Sequence, residues 1–136
     1  MTAEAQKRRR TASFLALAEE ELAAASILLD KLPRQAAYFQ QQCVEKLLRA
    51  VLEAEGVPVG PTHNIRQLAD MLPAAHELKA RFLAFETLSS AATRFRYPTA
   101  SGAIASPPRG DAFNQQEEIA RLMNDVTRSL ENFIKE

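Results

Sequence analysis

The chain has 136 residues, of which 46% are hydrophobic and 25% charged. That is the size and balance of one globular domain, with enough apolar material for a single core held by neither disulfides nor a structural metal. Lysine plus arginine equal aspartate plus glutamate at 17 each, so the chain exerts no overall pull on nucleic acid or anionic membrane, and any anion site has to come from a local concentration of charge.

Cys43 is the only cysteine, which excludes an intrachain disulfide. It falls inside an apolar helical pattern and is expected to be a buried, inert thiol. No apolar run approaches the roughly 18 residues of a membrane span. Lys7-Arg8-Arg9-Arg10 is followed within a few turns by Glu19, Glu20 and Glu21, so it does not read as a signal peptide and a cytoplasmic protein is expected. Residues 1–10 are expected to form a basic N-terminal arm ahead of a domain over residues 11–136. Such an arm either adds non-specific RNA affinity or solubilises the end of the chain.

In chain order, Phe14, Leu15, Ala18, Leu22, Ala25, Leu28 and Leu29 recur at steps of three and four and predict a first helix from Thr11 to Leu32. Pro33 stops it and can open the next. Arg34 to Glu55 is predicted as a second helix, with Tyr38 and Phe39, Cys43 and Val44, Leu47 and Leu48, and Val51 and Leu52 on a wide apolar face. Gly56 is suited to end it in the left-handed region. Gly56-Val57-Pro58-Val59-Gly60-Pro61 is a connector, after which Thr62 or Asn64 can cap a short helix from Ile65 to Leu72.

Pro73 marks a further predicted helix with Leu78, Phe82, Phe85, Leu88 and Ala92 on one face, ending near Phe95 because Pro98 disfavours α geometry at Tyr97. Tyr97 to Gly110 carries three prolines and two glycines and reads as a long loop, of the kind that is functional or disordered. Asp111 is expected to cap the last helix, which presents Ile119, Leu122, Met123, Val126, Leu130, Phe133 and Ile134. No stretch shows the period of two of a strand. The expected fold is all-α: an up-and-down helical bundle of four long helices plus one short helix.

The chain has no Gly-rich phosphate loop and no G-x-S-x-G elbow, and His63 and His76 lack the spacing of a helical metal pair. No metal and no cofactor are expected. The basic and aromatic residues are left as candidates. Arg94, Arg96 and Tyr97 stand together at a helix–loop junction, where guanidinium groups can take phosphate and a tyrosine can stack on a base. The alternative is that the arginines cap helix carbonyls and Tyr97 closes the core. Lys46 and Arg49, three apart on one helix face, either extend a phosphate site or form a solvated surface. His63, at a helix start, is a polar contact, a proton carrier or a packing residue.

Three segments together resemble the HEPN domain family of prokaryotes. Arg34–Leu52 is similar to the family's second helix, in which a small-residue and aromatic stretch leads into a Glu-Lys-hydrophobic-hydrophobic-Lys/Arg-Ala core. Thr62-His63-Asn64-Ile65 with Leu68 resembles the family's turn after the Gly/Pro connector, and Arg96-Tyr97-Pro98 its Arg-Tyr-Pro element. The resemblance implies a helical bundle that commonly forms a homodimer and is often paired with a small nucleotidyltransferase in a toxin–antitoxin arrangement. It also implies nucleotide or RNA as ligand, with Arg96, Tyr97 and His63 as site residues and Glu45 and Lys46 as signature positions of the second helix. One departure is clear: ribonuclease members carry an arginine followed after four to six residues by a histidine. At that distance before His63 stand Gly56, Val57 and Pro58, and before His76 stand Ala69, Asp70 and Met71. The expectation is therefore a binding or partner module with no catalytic residues. The alternatives are an RNA-cleaving toxin with a non-standard site and a ligand-free dimerisation domain.

Overall fold

A computed structural model describes all 136 residues and contains six helices and no strand. α1 (Ala3–Leu28), α2 (Pro33–Ala54), α5 (Thr87–Arg96) and α6 (Arg109–Lys135) form the up-and-down bundle, and α3 (Ile65–Asp70) and α4 (Lys79–Leu83) are short pieces in the α2–α5 connection. The all-α class and the four long helices are as the apolar periodicity predicts. The short elements number two rather than one.

α1 starts eight residues before the predicted boundary. The Thr2 hydroxyl accepts from the Ala5 N–H at 3.0 Å, and Glu4 in the first turn complements the helix dipole. The basic run at residues 7–10 is therefore helical. The alanine, glutamine, lysine and arginine of residues 3–10 are good helix formers, but they carry no apolar stripe to reveal the helix. Thr11, Leu15, Ala18, Leu22, Ala25 and Leu29 form the buried face, at alternating steps of four and three.

α2 is the central element. Pro33 occupies its first turn, where a missing N–H costs nothing. The helix is buried on most sides, packing chiefly on α1 and also on α3, α5 and α6. Gly56 (φ +73°) ends it in a Schellman motif: its N–H bonds the Glu53 carbonyl and the Val57 N–H bonds that of Leu52, both at 3.0 Å. α3 begins at Asn64, whose side chain accepts from the Gln67 N–H at 3.0 Å.

The single helix expected from Pro73 to Phe95 is broken. Residues 73–78 are turns, and α4 and α5 are separated at residues 84–86. Phe82, Phe85 and Leu88 are all buried and lie three apart. An α-helix would rotate such a series off the core. Instead the Phe85 N–H bonds Phe82 O and the Leu88 N–H bonds Phe85 O, and these i→i+3 turns keep all three side chains facing inward. Tyr97 is extended (φ −124°, ψ 149°) ahead of Pro98, and the chain has no regular structure from there to Pro108.

α6 starts at Arg109 with Pro108 as its N-cap. Asp111, expected to be the cap, lies in the first turn, where its charge still suits the dipole. A buried amide knot joins three helices: Gln40 Nε2 donates to Ala112 O and to Gln116 Oε1, and Gln116 Nε2 donates to Leu22 O. The α1–α6 pair is antiparallel, with Arg109 paired to Asp30 at one end. The main core is formed by Leu47, Leu48, Leu52, Ile65, Leu68, Phe82, Ile119 and Leu122, all fully buried.

Candidate functional site

An open groove of about 490 Å³ lies between the first half of α2, the turn at residues 63–64 and α5. α2 contributes Tyr38, Gln41 and Gln42, the turn contributes His63 and Asn64, and α5 contributes Ser89, Ala92, Thr93 and Arg96. No carboxylate lines it, and Arg96 is the only lining residue with a permanent charge.

Arg96 is exposed and takes part in no ion pair. Its guanidinium lies 4.4 Å from the centre of the Tyr38 ring and 5.8 Å from that of Tyr97. The aromatic face holds the cation without neutralising it, so the donors are oriented and available for an anion.

His63 is held from behind. Glu45 is buried, 2% exposed, and its carboxylate accepts from Arg49 Nε at 3.1 Å and from Gln41 Nε2 at 3.4 Å. His63 Nδ1 lies 3.1 Å from Glu45 Oε2. An ionised carboxylate only accepts, so Nδ1 carries the proton and Nε2 is the ring atom left for a ligand. Gln41 Nε2 also reaches the His63 carbonyl at 3.3 Å, and the Ser89 hydroxyl accepts from the Ile65 N–H at 3.1 Å. The turn is thereby tied to both α2 and α5. Arg49, on the same carboxylate, also donates to Thr62 O. The buried Glu45 charge is compensated by a cation and further donors, the condition under which burial of a carboxylate is tolerable.

The five residues singled out from sequence separate into four placements. Arg96 and His63 line the one groove. Lys46 does not: its Nζ pairs with Glu21 at 2.9 Å and donates to Gln42 Oε1 at 3.2 Å, and Gln42 Nε2 in turn donates to Gln41 Oε1 at 2.8 Å. Lys46 therefore orients the amides of the groove wall. Arg94 and Arg96 are not side by side. Two residues on a helix span about 200°, which turns them to different sides of α5. Arg94 stacks 4.7 Å from the Phe95 ring and lines a separate cavity of about 230 Å³ with Pro107, Pro108 and Asp111. Tyr97 is 61% exposed, beside Arg96 but outside the groove lining.

The aromatic wall is Tyr38, which the sequence reading places with Phe39 as an apolar pair. Its position at the start of α2, one turn before Gln41 and Gln42, puts it on their face of the helix. Arg34 has a capping role, donating to the Phe95 carbonyl at the end of α5 at 3.3 Å. No group of three or more histidine, cysteine, aspartate or glutamate side chains converges as a metal site. Cys43 is fully buried, and burial together with the Glu21 charge pushes its thiol up to about 12. Such a thiol is not a nucleophile at neutral pH.

A family model for the HEPN domain matches residues 11–136. The chain belongs to the HEPN domain family, which is generally associated with nucleotides and RNA and whose members often act as dimers. No curated protein and no solved structure matches the chain. None of its helices is long and apolar enough to cross a membrane.

Proposed function

We propose that the groove between α2, the His63–Asn64 turn and α5 binds the phosphate of a nucleotide or of RNA, and that the protein is a binding partner module rather than a ribonuclease. The observation that supports this most is Arg96: an unpaired guanidinium on the wall of the groove, oriented by the Tyr38 ring. In this reading Arg96 takes the phosphate bidentately and His63 Nε2 meets a sugar hydroxyl. Ser89, Thr93 and Asn64 supply further polar contacts. Tyr97 flanks the site, and Lys46 supports it through Gln42. A small nucleotidyltransferase, in a toxin–antitoxin pair, is the partner in keeping with the family, and a homodimer is the proposed state. Leu17 (41% exposed) and Ile27 (82%) on the outer face of α1 are apolar side chains that a second copy would cover.

Calorimetric titration with short RNAs and nucleotides tests the reading. Arg96→Ala is expected to weaken binding by about 1.5–3 kcal/mol, the range for a hydrogen bond to a charged group, with little change in melting temperature. If the variant unfolds while ligand still binds the folded fraction normally, Arg96 is structural and the reading fails. A second reading, RNA cleavage, is favoured by one observation, the Glu45–His63 contact, which leaves Nε2 free as a proton acceptor. Cleavage of RNA by pure protein, abolished in a folded Arg96→Ala variant, would establish it in place of the first.

A further inference from the structure

We propose that the groove selects ligands by a single phosphate group, as in a nucleoside monophosphate or one phosphodiester, and gives no added affinity to nucleoside di- or triphosphates. The inference rests on the reading of the groove as a phosphate site and follows from a count of its charges. Arg96 is the only permanent charge on the wall. The two other cations on the adjoining turns of α2 are already used: Arg49 pairs with the buried Glu45 at 3.1 Å and Lys46 pairs with Glu21 at 2.9 Å. Arg34, near the same end of α5, is engaged on the Phe95 carbonyl and lies outside the lining. Arg94 faces a different cavity.

A second or third phosphate would therefore lie against the neutral amides and hydroxyls of Gln42, Asn64, Ser89 and Thr93. Without a carboxylate in the lining, a magnesium ion carried on a polyphosphate gains no anionic protein ligand either. Glu21 is the residue that sets this limit. It holds Lys46, whose Nζ already reaches Gln42 on the groove wall at 3.2 Å. Removing the Glu21 charge would release a second cation at the edge of the groove.

The test is calorimetric titration of the full chain with AMP, ADP, ATP with and without Mg²⁺, and the dinucleotide ApA, for the wild-type protein and for Glu21→Gln. For the wild type, ATP is expected to bind within about threefold of AMP, whereas a further phosphate that met a cation would tighten binding about tenfold. AMP binding at least as tight as ApA points to a free nucleotide, and the reverse order to a phosphodiester backbone; both orders support a single-phosphate site. In Glu21→Gln the preference for ATP over AMP is expected to rise several-fold. Wild-type ATP binding about tenfold tighter than AMP overturns the inference and leaves the phosphate reading standing, as does an unchanged ATP-to-AMP ratio in Glu21→Gln with the fold intact. Failure of all four compounds to bind overturns the phosphate reading itself, and the inference with it.

Discussion

Replacing Glu45 with alanine should destabilise the fold and loosen the groove together. The carboxylate is 2% exposed and accepts from Arg49, His63 and Gln41. Removing one partner of a buried ion pair generally costs 3–5 kcal/mol, because the other charge is left without compensation. The Arg49 side chain keeps 16% of its exposure and still bonds Thr62 O, so part of its charge remains solvated and the loss falls at the low end, about 3 kcal/mol. For a chain of 136 residues that corresponds to a fall in melting temperature of roughly 10 °C. Thermal and urea denaturation of Glu45→Ala, Arg49→Ala and the double variant measure it. The double variant should lose less than the sum of the singles by at least about 1 kcal/mol, because each single change strands the partner of the other. A Glu45→Ala loss below about 1 kcal/mol, or strictly additive losses, would refute the view that this carboxylate anchors the His63 turn.

Gly56→Ala should lose about 1 kcal/mol in urea denaturation, because residue 56 sits at φ +73° where a Cβ is strained. Cys43 should resist aromatic disulfide reagents in native buffer and react fully in denaturant, given its complete burial. The same residue should impose a pH dependence. Its thiol is held from 9.0 up to about 12 in the fold, so above pH 9.0 the unfolded chain binds fewer protons than the native one and stability falls with rising pH. Between those two values the thiol contributes a slope of about 1.4 kcal/mol per pH unit, and that contribution is lost in Cys43→Ala.

Much of the architecture is legible in residue order because it is enforced locally. Pro33 and Gly56 bracket α2 through fixed backbone preferences, and Asn64 caps α3 with its own side chain. Other features need the tertiary context. The first two turns of α1 carry no apolar stripe, so only the Thr2 cap and residue propensities mark them. The interruption at residues 84–86 is recorded in the three-residue spacing of Phe82, Phe85 and Leu88, which a helix template absorbs as ordinary scatter. Asp111 reads as a cap from its type, but α6 starts earlier, at Arg109 with Pro108 as its N-cap.

Of the candidate groove, Arg96 and His63 were legible as residues that line it, and how they are held was not. Nearness in sequence groups Arg94 with Arg96, whereas helix geometry parts them. Tyr38 reads as core until α5 is packed across α2. The pairing of Lys46 with Glu21 depends on the α1–α2 contact, which no local spacing records.

The most direct test of the groove as the ligand site is backbone amide NMR of the full chain titrated with AMP and with ApA. Shift changes are expected to concentrate at Gln41, Gln42, His63, Asn64, Thr93 and Arg96, with the amides of residues 5–12 and 128–135 at the far end of the bundle unmoved. Changes confined to that far end, or to the Arg94 cavity with its Pro107–Asp111 wall, would place the ligand elsewhere and rule out the groove as its site.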